Sequence, residues 1–208
     1  VAPTIRWEVF YALIFTSGAR FGELFNLTWA DIDFEQGRMV IENREGGNTM
    51  PPFTVKDKDE RFVQLPTETI DLLSQYQQVA PEGVPYILLT KERYGRVIKR
   101  WHKYRQSGRA WRNRYMVNNV NRDFKSHAKK AGLRFNGSFS IHTFRKTCAD
   151  HLPANVVKFY LGHSKLETTN RFYSIVDESH TARTKQVMDD LLGGKSQNHL
   201  DTGWTLGP

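Results

Sequence analysis

The stretch TSGARFGELFNLTWADID, residues 16–33, carries the clearest local signals in this chain. Before it, residues 5–17 repeat apolar side chains at helical spacing, and the helix is expected to break at Gly18. A second, short helix is predicted to open at about Arg20, with Glu23 three residues later on the same face. The stretch therefore predicts two helices separated by a sharp break, with an arginine near the start of the second.

Three short runs downstream alternate β-branched or aromatic residues with polar ones, as strands do. They lie at 38–42, 52–56 and 61–65, and turn-forming residues separate them. These runs predict a small antiparallel sheet whose last hairpin carries Lys56 and Lys58 near its tip.

Helical spacing of apolar residues recurs on both sides of residues 86–89, which are compatible with one further strand. Ser164 and Glu167 match a capping box, in which each side chain satisfies a free backbone donor at a helix start. The pattern predicts an α+β fold, mainly α-helical, with a small antiparallel three-stranded sheet at one edge. The predicted helices lie at 67–79, 117–131, 142–152, 154–161, about 165–172 and 179–192.

At 208 residues the chain can bury a sizeable core, and one domain over residues 1–192 is expected. Residues 193–208 have no periodicity and are predicted to form a mobile tail. No apolar run approaches the roughly 20 residues of a membrane span, and the first residues do not resemble a signal peptide. Both observations lead us to expect a soluble, cytoplasmic protein. The lone Cys148 cannot form an internal disulfide and is expected to be a small buried core residue.

The net charge of +8 is concentrated in one segment. Residues 91–134 hold 15 Lys and Arg but only two acidic residues, so this segment carries +13 and the rest of the chain −5. A charge run is most often a solvated loop, but so local an excess, interleaved with aromatic residues, favours a polyanion partner. We expect a basic insert at about 91–116. Its predicted DNA-binding residues are Lys99, Arg100, Lys103, Arg105, Arg109, Arg112 and Arg114.

Five motifs follow one another along the chain: residues 16–33 with Arg20 and Glu23, the hairpin with Lys56, HTFR at 142–145, LGHS at 161–164 and TTNRFY at 168–173. They occur in the same order as in the tyrosine recombinase, or phage integrase, family. None is specific by itself, but their common order across residues 16–173 argues against coincidence. The chain therefore resembles the C-terminal catalytic domain of that family.

The resemblance implies a site-specific recombinase that cleaves and rejoins double-stranded DNA through a covalent 3′-phosphotyrosine. Tyr173 would be the nucleophile and Lys56 the general acid, with Lys58 as the rival lysine. Resealing would need neither a metal nor ATP, because the covalent bond conserves the energy. The implied catalytic residues are Arg20, Lys56, His142, Arg145, His163 and Tyr173, with Glu23 in a supporting role.

Elementary chemistry agrees with these residue types. Arginine stays charged and grips two phosphate oxygens at once, and the spacing of His142 and Arg145 puts both side chains on one helix face. One spacing departs from the family, which usually places the tyrosine nine residues after the histidine of LGH. Here that position holds Phe172, and Tyr173 lies ten residues after His163. Phenylalanine cannot attack phosphorus, so Tyr173 remains the predicted nucleophile.

The resemblance also implies partners. Members assemble on DNA as a synaptic tetramer and carry an N-terminal core-binding domain, which is expected to be absent from this chain. The main alternative is a catalytically inactive DNA-binding module of the same fold, which predicts the same basic patch. A metal site is disfavoured because the histidines lack paired spacing, and the match of residues 193–196 to a phosphate-binding loop lacks its first glycine.

Overall fold

The computed structural model describes residues 4–56, 60–117 and 119–133. These residues form an α+β fold that is mainly helical, as predicted, with one three-stranded antiparallel sheet. The helices are α1 (Ile5–Ser17), α2 (Phe21–Leu24), α3 (Thr67–Val79), α4 (Lys91–Gln106) and α5 (Val120–Lys130). The strands are β1 (Ile32–Asp33), β2 (Arg38–Ile41) and β3 (Arg61–Gln64), and single 3₁₀ turns lie at Trp29–Asp31 and Asn113–Tyr115.

Helix α1 has the predicted bounds and ends where the sequence indicates. Gly18 adopts a left-handed conformation with φ of 56°, and its N–H donates to the carbonyl of Ile14. The hydroxyl of Ser17 donates to the Leu13 carbonyl and accepts the N–H of Ala19 at 3.1 Å. This turn reverses the chain sharply, because glycine takes a positive φ at little cost. It fixes the direction in which the chain leaves α1 toward Arg20.

The sheet confirms two of the three predicted strands. Strands β2 and β3 pair antiparallel, with Met39 opposite Val63 and Ile41 opposite Arg61. The inward positions of both strands are buried, so the alternation seen in the sequence describes a half-buried sheet. The third strand is β1, which pairs with β2 and comes directly from the end of the opening stretch.

The predicted strand at 52–56 is wrong. Only Phe53 makes an isolated bridge, with Arg44, and no other residue of the run pairs as a strand. Pro51 and Pro52 have no N–H to donate, so a strand beginning there cannot form a continuous ladder. The hairpin is therefore β2–β3, and residues 42–60 form its long connection.

The further strand considered at 86–89 is also absent. Tyr86 bridges to Thr28, and the N–H of Ile87 donates to Leu27 at 3.1 Å. Their partner segment passes directly into the 3₁₀ turn that begins at Trp29, so the pairing cannot extend. Residues 86–89 are buried nonetheless and contribute to the core.

The remaining described helices surround this core. Helix α3 has the predicted bounds and packs on α1, with Leu73 and Tyr76 buried. Helix α5 is shorter than predicted and leaves out Val117, but the other positions of its predicted apolar stripe, Val120, Phe124 and Ala128, are buried. The start of the basic segment is the regular helix α4, which ends at Gln106.

The predicted helices between 142 and 192, the tail at 193–208 and Cys148 lie outside the described residues. No helix in the described ranges combines the length and apolar character needed to cross a membrane.

Candidate active site and basic surface

Arg20 occupies the N-cap position of α2, directly after the turn at Gly18. The carboxylate of Glu23 accepts the backbone N–H of Arg20 at 2.7 Å and its Nη1 at 3.2 Å. Glu23 is only 4% exposed, whereas the Arg20 side chain is 24% exposed. Glu23 thus holds both the backbone and the guanidinium of Arg20, which remains accessible at the surface.

Arg61 is a site residue that sequence reasoning missed. From β3 its Nη2 donates to Glu23 Oε2 at 2.9 Å and its Nη1 to Oε1 at 3.3 Å, and Arg61 is only 8% exposed. This two-point contact is the geometry in which an arginine binds a carboxylate most firmly. The signal was present in the sequence, because Arg61 is in phase with the inward-facing Val63. An arginine on the buried face of a strand needs an acidic partner.

The electrostatics of Glu23 follow from this trio. Burial by itself raises the pKa of the carboxyl, but the charge and hydrogen bonds of Arg61 and the contacts with Arg20 outweigh burial and hold the pKa below its ordinary value. Glu23 is therefore ionised at neutral pH. One negative charge then faces two positive ones, so Arg20, Glu23 and Arg61 together keep a net charge of +1 beside the surface.

Lys56 is exposed and lies in the β2–β3 connection, directly after the buried Val55. The prediction that Lys56 lies on a strand at a hairpin tip is corrected by the loss of the strand at 52–56, although the connection does belong to a hairpin. Asn113 links this segment to α2, since it hydrogen-bonds Thr54 and packs beside Gly22. The rival Lys58 lies outside the described residues.

The structure brings Arg20 and Glu23 together, as predicted, and adds Arg61. The other four predicted catalytic residues, His142, Arg145, His163 and Tyr173, lie outside the described residues.

The seven predicted DNA-binding residues are all exposed. On α4, Lys99 and Lys103 lie opposite the buried Val97 and Trp101, so they project away from the core. Arg105 has a second task, because its Nη1 donates to Asn48 Oδ1 at 2.7 Å. The helix therefore presents a basic outer face while its inner face packs on the domain.

Helix α5 adds a second basic face that the list of predicted DNA-binding residues omitted. Arg122, Lys125 and Lys129 are exposed and follow one another at helical spacing opposite the buried stripe. The charges of this helix therefore lie on the face away from its apolar positions. The two helices give the described part of the chain two exposed rows of cations.

The aromatic residues of the basic segment pack against one another, with Trp101 buried and Tyr104, Trp111 and Tyr115 half-buried. Trp111 meets Trp101, Tyr104 and Tyr115 edge-to-face, with ring centroids 5.2–5.9 Å apart. Trp101 is 8% exposed and donates its Nε1 hydrogen to the Gly47 carbonyl at 2.8 Å. Packing of large rings against one another buries more apolar area than exposure would, so these rings fasten the loop after α4 onto that helix.

In the ranges that the structure describes, no three His, Cys, Asp or Glu side chains are grouped so as to hold a metal ion.

Comparison with known sequences gives consistent matches. The sequence model of the phage integrase family matches residues 2–180. The tyrosine recombinase XerA of Pyrococcus furiosus is 23% identical over 199 residues, which cover 92% of this chain and 58% of the relative. The tyrosine recombinase XerC of Chlamydia trachomatis is 26% identical over 162 residues, covering 76% of this chain and 42% of the relative. The chain thus spans about half the length of the curated relatives it matches.

Solved structures share the fold. The crystal structure of XerA recombinase superposes with a TM-score of 0.52 at 18% identity, covering 88% of this chain and 58% of that chain. A lambda integrase dimer bound to a COC′ core site superposes with a TM-score of 0.51 at 16% identity, covering 78% of this chain and 52% of that chain. The small sheet and the helices around it therefore share the fold of part of these recombinases.

Proposed function

Because this chain belongs to the phage integrase family, we propose that it is the catalytic part of a site-specific DNA recombinase that works through a covalent phosphotyrosine on Tyr173. The observation that carries the proposal is the ion trio of Arg20, Glu23 and Arg61. A partly exposed guanidinium, locked by a buried carboxylate beside a helix start, is suited to receive one phosphate group.

The proposed reaction is an exchange of phosphodiester bonds. The phenolic oxygen of Tyr173 attacks phosphorus, its proton passes to a base for which His142 is the candidate, and the bond from phosphorus to the 5′ oxygen breaks. The leaving 5′ oxygen takes a proton from a lysine ammonium group. The reverse sequence, with the 5′ hydroxyl of another strand as the attacking group, rejoins the DNA and releases the tyrosine.

The cations have separate roles in this scheme. Charge accumulates on the non-bridging oxygens in the transition state, and Arg20 and Arg145 are proposed to stabilise it, with His163 donating to one of these oxygens. Lys56 is the proposed general acid, supported by its exposure in the β2–β3 connection, and Lys58 is the alternative.

The proposed substrate is double-stranded DNA, held by the exposed cations of α4 and α5. Phosphate contacts of this kind position a protein without reading sequence, so the target site is not implied by them. We further propose that the active assembly is a synaptic tetramer. The protein would act in the cytoplasm, at the nucleoid.

The test is covalent trapping on DNA. The chain is incubated at low salt with supercoiled plasmids that carry a random duplex insert, the reaction is stopped with detergent, and protein-linked DNA is recovered and sequenced. Recovered sites are then rebuilt as duplexes with a nick near the cleavage position, which let the cleaved end diffuse away and accumulate the adduct. We expect an adduct on Tyr173 with a free 5′ hydroxyl on the DNA, and none with Tyr173→Phe.

The same experiment distinguishes the proposed function from the alternative. A DNA-binding module without catalysis would shift the duplexes in a gel but give no adduct that survives detergent. Folded protein that binds the plasmids without any covalent product would overturn the recombinase proposal.

A further inference from the structure

Two asparagine side chains from different parts of the fold hold the segment that leads into Lys56. Asn113 Nδ2 donates to the Thr54 carbonyl at 2.6 Å, and the Thr54 N–H approaches Asn113 Oδ1 at 3.5 Å. Asn43 Oδ1 accepts the Val55 N–H at 2.8 Å. The backbones of Thr54 and Val55, the two residues before Lys56, are therefore hydrogen-bonded to side chains, although neither residue lies in a strand.

Asn43 also binds Glu60, at the far end of the β2–β3 connection. Its Nδ2 donates to Glu60 Oε1 at 2.6 Å, and its backbone N–H donates to the same oxygen at 2.8 Å. One side chain thus joins Val55 to Glu60, which lie on either side of the stretch that contains Lys56 and Lys58. These contacts tie both flanks of that stretch to Asn43.

Asn113 connects this segment to the arginine of the site. It opens the 3₁₀ turn Asn113–Tyr115, which packs on α2. The Cβ of Asn113 lies against Gly22, 3.7 Å from the place that a side chain on Gly22 would begin, so the two residues are neighbours across the fold. Gly22 is two residues from Arg20, and Thr54 is two residues from Lys56. Asn113 is therefore a direct bridge between the two segments that carry these cations.

We propose that Asn113 is a positioning residue that sets the place of the general-acid lysine relative to Arg20, with Asn43 as a second support. The inference rests on the proposed function, in which this lysine protonates the leaving 5′ oxygen. Loss of the bridge leaves the arginine trio intact but lets the lysine segment drift. Only the step that needs the lysine proton should then suffer.

A sulfur-substituted DNA separates this role from a general effect on folding. When sulfur replaces the bridging 5′ oxygen, the leaving group is a thiolate, whose conjugate acid has a pKa of about 8.5, so it leaves without a proton donor. An alkoxide is a much stronger base and needs a proton from the general acid as it leaves. The rate of adduct formation is therefore measured on nicked duplexes with oxygen and with sulfur at this position.

Asn113→Ala should slow cleavage of the oxygen duplex by about 10- to 100-fold, the effect expected when an acid is displaced by about 1 Å. On the sulfur duplex the loss should be less than about 3-fold, because no proton is needed there. Asn113→Asp should behave similarly: it keeps the Cβ beside Gly22 and an acceptor for Thr54 but loses the donor. Asn113→Asp replaces Asn113→Ala in the comparison if the alanine variant fails to fold.

Three further variants calibrate the comparison. Lys56→Ala and Lys58→Ala identify the general acid, since the correct one must lose cleavage on oxygen and recover on sulfur. Gln78→Ala removes an amide from the exposed face of α3 and should cleave both duplexes like the wild type. Melting temperatures of all variants show that the proteins compared are folded.

Equal slowing of Asn113→Ala on both duplexes would reduce Asn113 to a structural residue, and wild-type rates on both would leave it without a role; either result overturns the inference. Failure of the proposed function has a different signature, since the wild type would then form no adduct on either duplex. If neither Lys56→Ala nor Lys58→Ala regains cleavage on the sulfur duplex, neither lysine is the general acid. The inference about Asn113 then fails as well.

Discussion

Replacement of Arg61 tests whether the ion trio is the structural centre of the site. Arg61 and Glu23 are 8% and 4% exposed and share two hydrogen bonds of 2.9 and 3.3 Å. Arg61→Met keeps the length and apolar stem of the side chain but leaves a buried carboxylate with one cation fewer. Removal of one partner of a buried pair costs about 3–5 kcal/mol. Arg20 still contacts Glu23, so we expect about 3 kcal/mol, the lower end.

The assay is thermal and urea unfolding followed by circular dichroism. For a chain of this size each kcal/mol lowers Tm by about 2–4 °C, so Arg61→Met should melt about 6–12 °C below the wild type. The double variant Glu23→Gln/Arg61→Met removes both charges, and its loss should be smaller than the sum of the single losses by about 1–3 kcal/mol.

Arg122→Met is the matched control. Arg122 also contacts an acidic residue, Asp123, at 3.2 Å, but its side chain is 73% exposed. An exposed pair contributes little, so this substitution should change stability by less than about 0.5 kcal/mol. If Arg61→Met costs no more than this control, or if the double variant is additive, then the trio is not coupled and our reading of the site is refuted.

Two further predictions concern pH and salt. Because the pKa of Glu23 is lower in the folded protein than its ordinary value of 4.5, its contribution to stability is complete above that value and is lost as pH falls through the folded pKa. Urea unfolding of wild type and Glu23→Gln at a series of pH values from 6 down to about 3 should therefore show the difference in stability shrinking below about pH 4.5; a constant difference would contradict this. Exchange of Lys99 and Lys103 for Gln should weaken DNA binding and reduce the slope of log affinity against log salt by about 2 in fluorescence anisotropy titrations, whereas an unchanged slope would show that neither lysine meets a phosphate.

The helices that the sequence predicted best are those with both periodicity and a clear end. α1 and α3 have the predicted bounds because each combines an apolar stripe with a terminating glycine or proline nearby. α4 was recognised only as a basic segment, although Tyr94, Val97, Ile98 and Trp101 recur at helical spacing along it. Its many charges drew attention to a polyanion partner, and only Val97 and Trp101 of this stripe are fully buried.

The errors in the sheet have a different cause. The run at 52–56 alternates like a strand, but alternation reports which side chains could face a core and says nothing of missing backbone donors at Pro51 and Pro52. Strand β1 has two residues, too few for any period to be visible. The pairing of Arg61 with Glu23 spans 38 positions, so the sequence could indicate that a partner was needed but not which acid it was.

The arrangement of charge also explains why a second, buried arginine belongs in this site. With Glu23 alone beside it, Arg20 would form a neutral pair, and a neutral pair attracts a phosphate only weakly. Arg61 contacts the same carboxylate from the buried side, so the trio retains one positive charge while Arg20 keeps its orientation. The carboxylate can then serve as a fixed support for Arg20 without cancelling its charge. For the proposed phosphate contact, an arginine held in this way needs no rearrangement when an anion arrives, which is the condition under which electrostatic stabilisation of a transition state is most effective.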